Sequence, residues 1–260
     1  MSLPFIDYKN MNCLQYLKTL PDKSINLVLI DPPYVISKDT NFQKGEKTGR
    51  DTDRFRISMD FGDWDKEEEF TFEDLKKTVK ECFRVLKKGG TFICFYDIWK
   101  ITELKECMEE AKFKQLRFIE WVKTNPVPIN SKINYLTNSR EIALVGIKGS
   151  KPTFNSEYDN GIYRYPICHD KGRFHPTQKP LDLFSELIKK HSNEGDNVLD
   201  CFCGSGTTAV SCMKFNRNFY GCELNETYFK KSVDRLCEID SSFDKLYVKE
   251  DDKGNKNDKT

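Results

Sequence analysis

Two hydrophobic periods alternate along the chain. The run Ile25-Asn26-Leu27-Val28-Leu29-Ile30 is short, apolar and rich in branched residues, the pattern of a buried strand. Phe72, Leu75, Val79, Cys82, Phe83 and Leu86 recur at helical spacing, which predicts an amphipathic helix over 72–87, stopped by Gly89-Gly90. Thr91 to Tyr96 reads as a strand, and Ile101, Leu104, Met108 and Ala111 as the next helix. Phe118 to Val122 and Ile142 to Ile147 are further strands. Leu181, Phe184, Leu187 and Ile188 mark a helix, Asn197-Val198-Leu199 a strand ending at Asp200, and Thr207 to Met213 another helix. Asn218 to Cys222 is a strand ending at Glu223, and Tyr228, Phe229, Val233 and Leu236 line a final helix. Ahead of these, residues 4–10 read as a first strand, and Cys13, Leu14 and Leu17 as a short helix ended by Pro21-Asp22. Strand and helix alternating at this spacing predict a mainly parallel sheet covered on both faces.

Two polar stretches interrupt the pattern. Residues 35–64 read as a long surface loop, either a solvated flap or a ligand-binding lid. Residues 123–175 are less regular and hold eight Lys or Arg against four acids, with aromatics interleaved from Tyr135 to Phe174. Cations for phosphates and aromatics for bases suit a nucleic-acid surface. Residues 249–260 are polar and charged and read as a disordered tail. The organisation predicted is one domain over 1–248, with inserts at about 35–64 and about 130–174.

Charge and cysteines narrow the class. Lys plus Arg number 42 and Asp plus Glu 41, so a histone-like polycation is excluded while a local positive face is not. No run approaches the length of a membrane span, and Met1 to Lys9 lack the pattern of a signal peptide. A cytoplasmic place is therefore expected, and with it free thiols for the ten Cys. Cys201 and Cys203 have no second close pair, so no metal site is expected.

Two segments carry candidate chemistry. Asp31-Pro32-Pro33-Tyr34 follows the apolar run 25–30 directly, and the proline pair forces the backbone out of strand and helix. An acid, two rigid residues and an aromatic thus stand at the carboxyl end of a strand, where open α/β sheets place ligands. The second segment, Val198 to Gly206, runs strand, glycine turn, helix. Glu223 ends the next strand 23 residues after Asp200, a position from which an acid accepts hydrogen bonds from ribose hydroxyls. The loop lacks the Gly-Lys-Ser or Gly-Lys-Thr of a phosphate loop and has two glycines where a dinucleotide loop has three. S-adenosylmethionine (SAM), which has no pyrophosphate, fits it better.

Asp31-Pro32-Pro33-Tyr34, His175-Pro176-Thr177-Gln178-Lys179-Pro180 and Asp200-Cys201-Phe202-Cys203-Gly204-Ser205-Gly206-Thr207-Thr208 resemble the three signature segments of the amino DNA methyltransferases. Their order, with the catalytic motif first and the cofactor loop last, resembles the permuted beta group, most like its adenine-N6 members of restriction-modification or orphan type. The resemblance implies an α/β, Rossmann-like SAM-dependent methyltransferase fold with a largely parallel sheet and helices on both faces. It implies methyl transfer from SAM to the exocyclic amine of an adenine flipped out of DNA. The catalytic residues would be Asp31, Pro32, Pro33 and Tyr34. Asp31 and the Pro32 carbonyl would accept hydrogen bonds from the amine, and Tyr34 would stack on the base.

On the cofactor side the resemblance implies Asp200 near the methionine end, Phe202 packed on the cofactor and Glu223 on the ribose. Gly204, Ser205, Gly206 and Thr207 would form the loop. His175, Thr177 and Lys179 would help build the methionine pocket, and Asn12 would lie near the adenine. The chain departs from the family pattern at Asn12, Val35 and Cys201, where Asp, Asn and Pro are common. Trp121, Lys123, Asn125, Pro126 and Pro128 resemble a family stretch beside the catalytic face, or form a rigid turn anchored by Trp121. Residues 130–174 correspond to the target-recognition region. Lys123, Asn125, Lys132, Arg140, Arg164, Lys171 and Arg173 are the candidate DNA contacts. The expected partners are DNA with a short specific site, a second copy of the chain and a cognate endonuclease. Cytosine-N4 methylation and a non-enzymatic DNA-binding role on the same scaffold stand as alternatives.

Overall fold

The structure is a computed structural model, and it describes residues 4–33, 70–126, 136–168, 174–175 and 177–241. Eight strands form one sheet in the order β1-β8-β7-β2-β3-β5-β4-β6. They are β1 Ile6–Asn10, β2 Ile25–Ile30, β3 Leu86–Tyr96, β4 Lys114–Lys123, β5 Arg140–Ile147, β6 Ile162–Tyr165, β7 Asn197–Asp200 and β8 Asn218–Glu223. Only β5 runs against its neighbours β3 and β4, and the other pairings are parallel.

The helices are α1 Cys13–Thr19, α2 Phe72–Val85, α3 Ile101–Glu110, α4 Leu181–His191, α5 Thr207–Lys214 and α6 Glu226–Cys237. Side-chain alternation explains why they cover both faces. Along β2, Val28 and Ile30 pack with Leu17, Leu75, Val79, Leu104 and Met108 of α1, α2 and α3. Leu27 and Leu29 point the other way, into Leu183, Leu187, Val210 and Leu236 of α4, α5 and α6. A strand buried on both faces is apolar throughout, which is why residues 25–30 show no polar alternation. The expected doubly covered, mainly parallel sheet is the one observed.

Two elements differ from the sequence expectation. Helix α2 ends at Val85, and Gly89-Gly90 lie inside β3. The last carbonyls of α2 are satisfied from elsewhere in the chain. Ser24 N donates to Val85 O at 2.8 Å, and Lys148 Nζ donates to Phe83 O at 2.6 Å and Arg84 O at 3.0 Å. Gly89 instead adopts φ +84, and a Cβ there would lie 2.8 Å from Lys151 O. Its work is close backbone approach between β3 and the end of β5, not helix capping. Strand β6 is the second difference. Its four residues fall within the stretch taken as irregular, and they form a strand by pairing with β4.

The connections fix where a ligand can sit. From β2 the chain leaves toward β3, and from β7, which pairs with β2, it leaves toward β8. This reversal opens a crevice at the carboxyl ends of β2 and β7, with Asp31 on one side and Asp200 on the other. Among the described residues, no helix is long and apolar enough to cross a membrane, and no cluster of His, Cys, Asp or Glu could hold a metal. All ten cysteines are free thiols.

Candidate active site

One wall of the crevice is built from β7, its glycine loop and the end of β8. Asp200 is buried and ties the loop together. Its Oδ1 accepts from Phe202 N at 3.0 Å and its Oδ2 from Thr208 Oγ1 at 2.6 Å. Burial pushes its carboxyl up to about 7, against the two hydrogen bonds. Glu223 does the same for the other end of the loop. Its Oε2 accepts from Gly204 N at 2.8 Å and its Oε1 from Asn225 N at 2.9 Å. Burial raises its carboxyl, and the backbone amides oppose that.

Gly204 and Gly206 have φ +48 and +73, a backbone that side chains disfavour. A Cβ on Gly204 would lie 3.3 Å from His175 Nε2, so the imidazole rests directly on the loop. Nδ1 of His175 accepts from Thr177 N at 3.3 Å, and its ring meets Tyr228 edge-on at 4.4 Å. Ser205 and Thr207 are buried beneath the loop. Arg235 of α6 donates to Ser205 O at 3.0 Å and to Thr207 Oγ1 at 3.3 Å. The Arg235 guanidinium thus braces the loop from behind. Phe202 is half-buried and meets Phe70, just before α2, edge-on at 5.4 Å. Asn12 stands at the carboxyl end of β1, which pairs with β8 up to Glu223. Its Oδ1 caps α1 by accepting from Leu14 N at 2.9 Å.

The opposite wall is built around Asp31. Its Oδ2 pairs with Lys179 Nζ, just ahead of α4. Lys179 also reaches Glu141 Oε2 at 3.1 Å, and Glu141 Oε1 binds Lys123 Nζ at 2.9 Å. Lys179 is only 7% exposed and lies 5.4 Å from the centre of the Phe95 ring. Burial raises the Asp31 carboxyl more than Lys179 lowers it, and Glu141 adds to the rise. Burial also opposes ionisation of Glu141, but Lys179 and Lys123 together outweigh it and hold that carboxyl below its ordinary value. Asp31 Oδ1 is buried and, among the described residues, receives no hydrogen bond. A buried acceptor left without a partner is uncommon in a folded protein.

The crevice thus brings together Asp31, Pro32 and Lys179 on one side and Asp200, Phe202, Gly204, Glu223 and His175 on the other. Tyr34, Lys132, Lys171 and Arg173 lie outside the described residues. Arg140 begins β5 and Arg164 lies on β6, both exposed at the Asp31 end of the sheet. Arg140 is 3.3 Å from Glu120. Asn125 Oδ1 accepts from Ile167 N at 2.6 Å, and Trp121 Nε1 donates to Tyr165 O at 2.9 Å. The first holds the chain after β4 against the chain after β6, and the second ties β4 itself to the last residue of β6. The stretch 148–160 runs elsewhere. Asn155 Nδ2 donates to Lys189 O at 3.0 Å and Ser192 O at 2.9 Å, closing the far end of α4, away from Asp31.

Several residues escaped the sequence reading. Glu141 is one, because a single acid at the head of a strand carries no local signal. Phe95 and Arg235 belong to a strand and a helix whose periodicity marks them only as structural, and Phe70 precedes α2 outside any period. Trp99 is another. It sits in a 3-10 turn, Ile98–Lys100, just beyond β3, and is 90% exposed. Asp97 Oδ1 fixes the turn by accepting from Trp99 N at 3.0 Å.

A doubly wound sheet with a glycine loop facing an acid-proline turn across the switch point defines a Rossmann-like methyltransferase. The family of DNA methylases that covers N6 and N4 enzymes matches residues 25–234, and the chain belongs to it. It is 30% identical over 260 residues to the Type II methyltransferase M2.DpnII of Streptococcus pneumoniae, covering 91% of this chain and 93% of that protein. The crystal structure of the M1.HpyAVI-SAM complex matches with a TM-score of 0.64 and 25% identity, covering 89% of this chain and 100% of that one. The cytosine-N4-specific PvuII DNA methyltransferase matches with a TM-score of 0.66 and 17% identity, covering 89% of this chain and 88% of that one. That last likeness is one of fold alone. The enzyme is a SAM-dependent DNA methyltransferase. Its own residues fit that cofactor: Gly204 and Gly206 leave the loop backbone bare, and Glu223 offers a carboxylate at the strand end.

Proposed function

We propose that the enzyme is a site-specific adenine-N6 methyltransferase acting on a base turned out of duplex DNA. The observation that carries this reading is the buried Oδ1 of Asp31, which receives no hydrogen bond among the described residues and belongs to the residue that follows β2, the strand beside β7 and its glycine loop. The lone pair of an exocyclic amine is delocalised into the ring, so the nitrogen is a poor nucleophile. Acceptors that draw its N–H groups out of the ring plane restore the lone pair. Asp31 Oδ1 and the Pro32 carbonyl suit that task, since proline keeps its carbonyl while lacking an amide donor. Tyr34 would stack on the base. Bound SAM supplies an electrophilic methyl group. Glu223 would hold its ribose, Asp200 and His175 its methionine end, and Phe202 and the loop glycines its flanks. The amine nitrogen becomes acidic only as the new bond forms, so Asp31 need not be a strong base.

Asp at the head of the motif and Tyr at its end support adenine over cytosine, by likeness to the family. The DNA would lie across the Asp31 end of the sheet, against Arg140, Arg164 and Trp99. Lys123 is engaged with Glu141, and it would act on DNA only through that pair. Residues 148–160, braced against the far end of α4, would take no part in target recognition. The Type II name of the pneumococcal relative supports a place in restriction-modification, with an endonuclease of the same site as partner and the cytoplasm as its place. A dimer is tested by sedimentation.

The deciding experiment is tritium transfer from labelled SAM to unmethylated DNA, followed by nucleoside digestion. Label in N6-methyladenine, lost in Asp31→Ala, is the expected result. Label in N4-methylcytosine would overturn the base assignment, and SAM binding without transfer to any DNA would overturn the activity.

A further inference from the structure

The charges around Asp31 form a chain that links two signature segments, through Asp31 and Lys179, to Glu141 and Lys123 outside them. Lys123, Glu141, Lys179 and Asp31 come from β4, β5, the turn before α4 and the end of β2. Two cations face two carboxylates, so the set is neutral. The sharing is unequal. Glu141 has a lysine near each oxygen, but Lys179 makes its shorter, hydrogen-bonded contact with Asp31 and stands 3.1 Å from Glu141 Oε2 as an ion pair without a hydrogen bond. An ammonium so fully withdrawn from water persists only when paired, and Lys179 is further confined by the face of Phe95. Lys179 occupies Oδ2 of Asp31, while Oδ1, itself buried, receives no hydrogen bond among the described residues.

We propose that Lys179 and Glu141 are positioning residues for methyl transfer. Lys179 keeps Asp31 ionised and turned so that Oδ1 meets the target amine, and Glu141 draws off part of the Lys179 charge so that Asp31 stays a strong acceptor. This rests on the reading of Asp31 as the amine's acceptor. Acceptor strength rises with basicity, so a carboxylate fully neutralised by its own lysine would pull weakly on the amine. A carboxylate with no cation in the same buried place would take up a proton and accept nothing through it. The shared lysine places Asp31 between these extremes. The other ionisable groups that face Asp31 among the described residues are Cys94 of β3 and Asp200 of β7, and both disfavour its charge or are disfavoured by it.

The test is the pH dependence of single-turnover methyl transfer by the full-length enzyme with saturating SAM and DNA. SAM affinity is measured by calorimetry alongside. Lys179→Met is expected to move the acid limb of the profile up by about one to three pH units. Lys179→Arg is expected to return it toward the native position. Glu141→Gln, nearly the same shape, is expected to move the limb the other way, down by about half a unit, with a lower plateau rate. A general loosening of the site would not shift the limb in opposite directions. If Lys179→Met does not fold, Lys179→Arg and Glu141→Gln decide the matter by the same shifts. Limbs that stay in place, or that move together, overturn the proposal. Asp31→Asn tests the underlying reading separately: full activity in that variant would overturn the role of Asp31 itself.

Discussion

The two walls of the crevice hold their carboxylates by opposite means. Asp200 and Glu223 are held by backbone amides and one threonine hydroxyl. Asp31 and Glu141 are held by lysines. Amides and a hydroxyl fix geometry while leaving the carboxyl reluctant to ionise, as the rise of Asp200 to about 7 illustrates. Ammonium groups favour the charged form, enough to hold Glu141 below its ordinary value though not enough to offset burial at Asp31, and they bring in side chains from distant parts of the chain. The cofactor wall is thus a matter of local backbone shape, and the target wall a matter of electrostatics assembled across the fold.

Four experiments press on that difference. The largest effect is expected at Asp31, where Asp31→Ala should lower single-turnover methyl transfer by about a thousandfold while SAM affinity, read by calorimetry, stays within a fewfold. Loss of SAM binding instead would mean that the two walls are not separable. Next is Gly221 on β8, behind the loop. A Cβ there would lie 2.6 Å from Asp200 O and 2.7 Å from Cys203 Sγ. Gly221→Ala should destabilise the fold by about 2 kcal/mol in urea denaturation and weaken SAM binding in parallel.

The third concerns pH. Folded, Asp200 keeps its proton up to about pH 7. Unfolded, it loses the proton near an ordinary value of about 4. The folded state therefore binds more protons between these two values, and stability falls as pH rises through that window. Glu223 and Asp31 are raised as well and act with the same sign. Asp200→Asn should flatten the slope of denaturation midpoint against pH between about 4 and 7, whereas Glu141→Gln should not, because Glu141 is shifted the other way.

The smallest effect is expected at Trp99. Trp99→Ala should weaken DNA binding by about 1 kcal/mol in fluorescence anisotropy. Its exposure means that the melting temperature should not move. An unchanged DNA affinity would remove this turn from the target wall.

How much of this was legible beforehand follows the same division. The helices at 72, 101 and 181 and the strands at 25, 91 and 197 declared themselves because each buries a regular face, and a regular face leaves a period in the chain. The cofactor loop declared itself because its partners lie on the same loop or the next strand: Asp200 reaches Phe202 and Thr208, and Glu223 reaches Gly204 from 19 positions on. The end of α2 was misread because its carbonyls are capped by Ser24 and Lys148, far away in the chain, which freed Gly89 and Gly90 to serve β3. Strand β6 was missed because four residues are too few to show a period and exist as a strand only against β4.

By itself the sequence determined the fold class, the crevice at the ends of β2 and β7, and the family, since local periods and short motifs suffice for each. Only the tertiary structure decided which charges meet. Lys179 stands 148 positions from Asp31 and Glu141 stands 38 from Lys179, and no pattern along the chain encodes that meeting. Lysines and acids are common on any surface. What singles these out is that folding removes them from water together, where a charge without its partner could not stay.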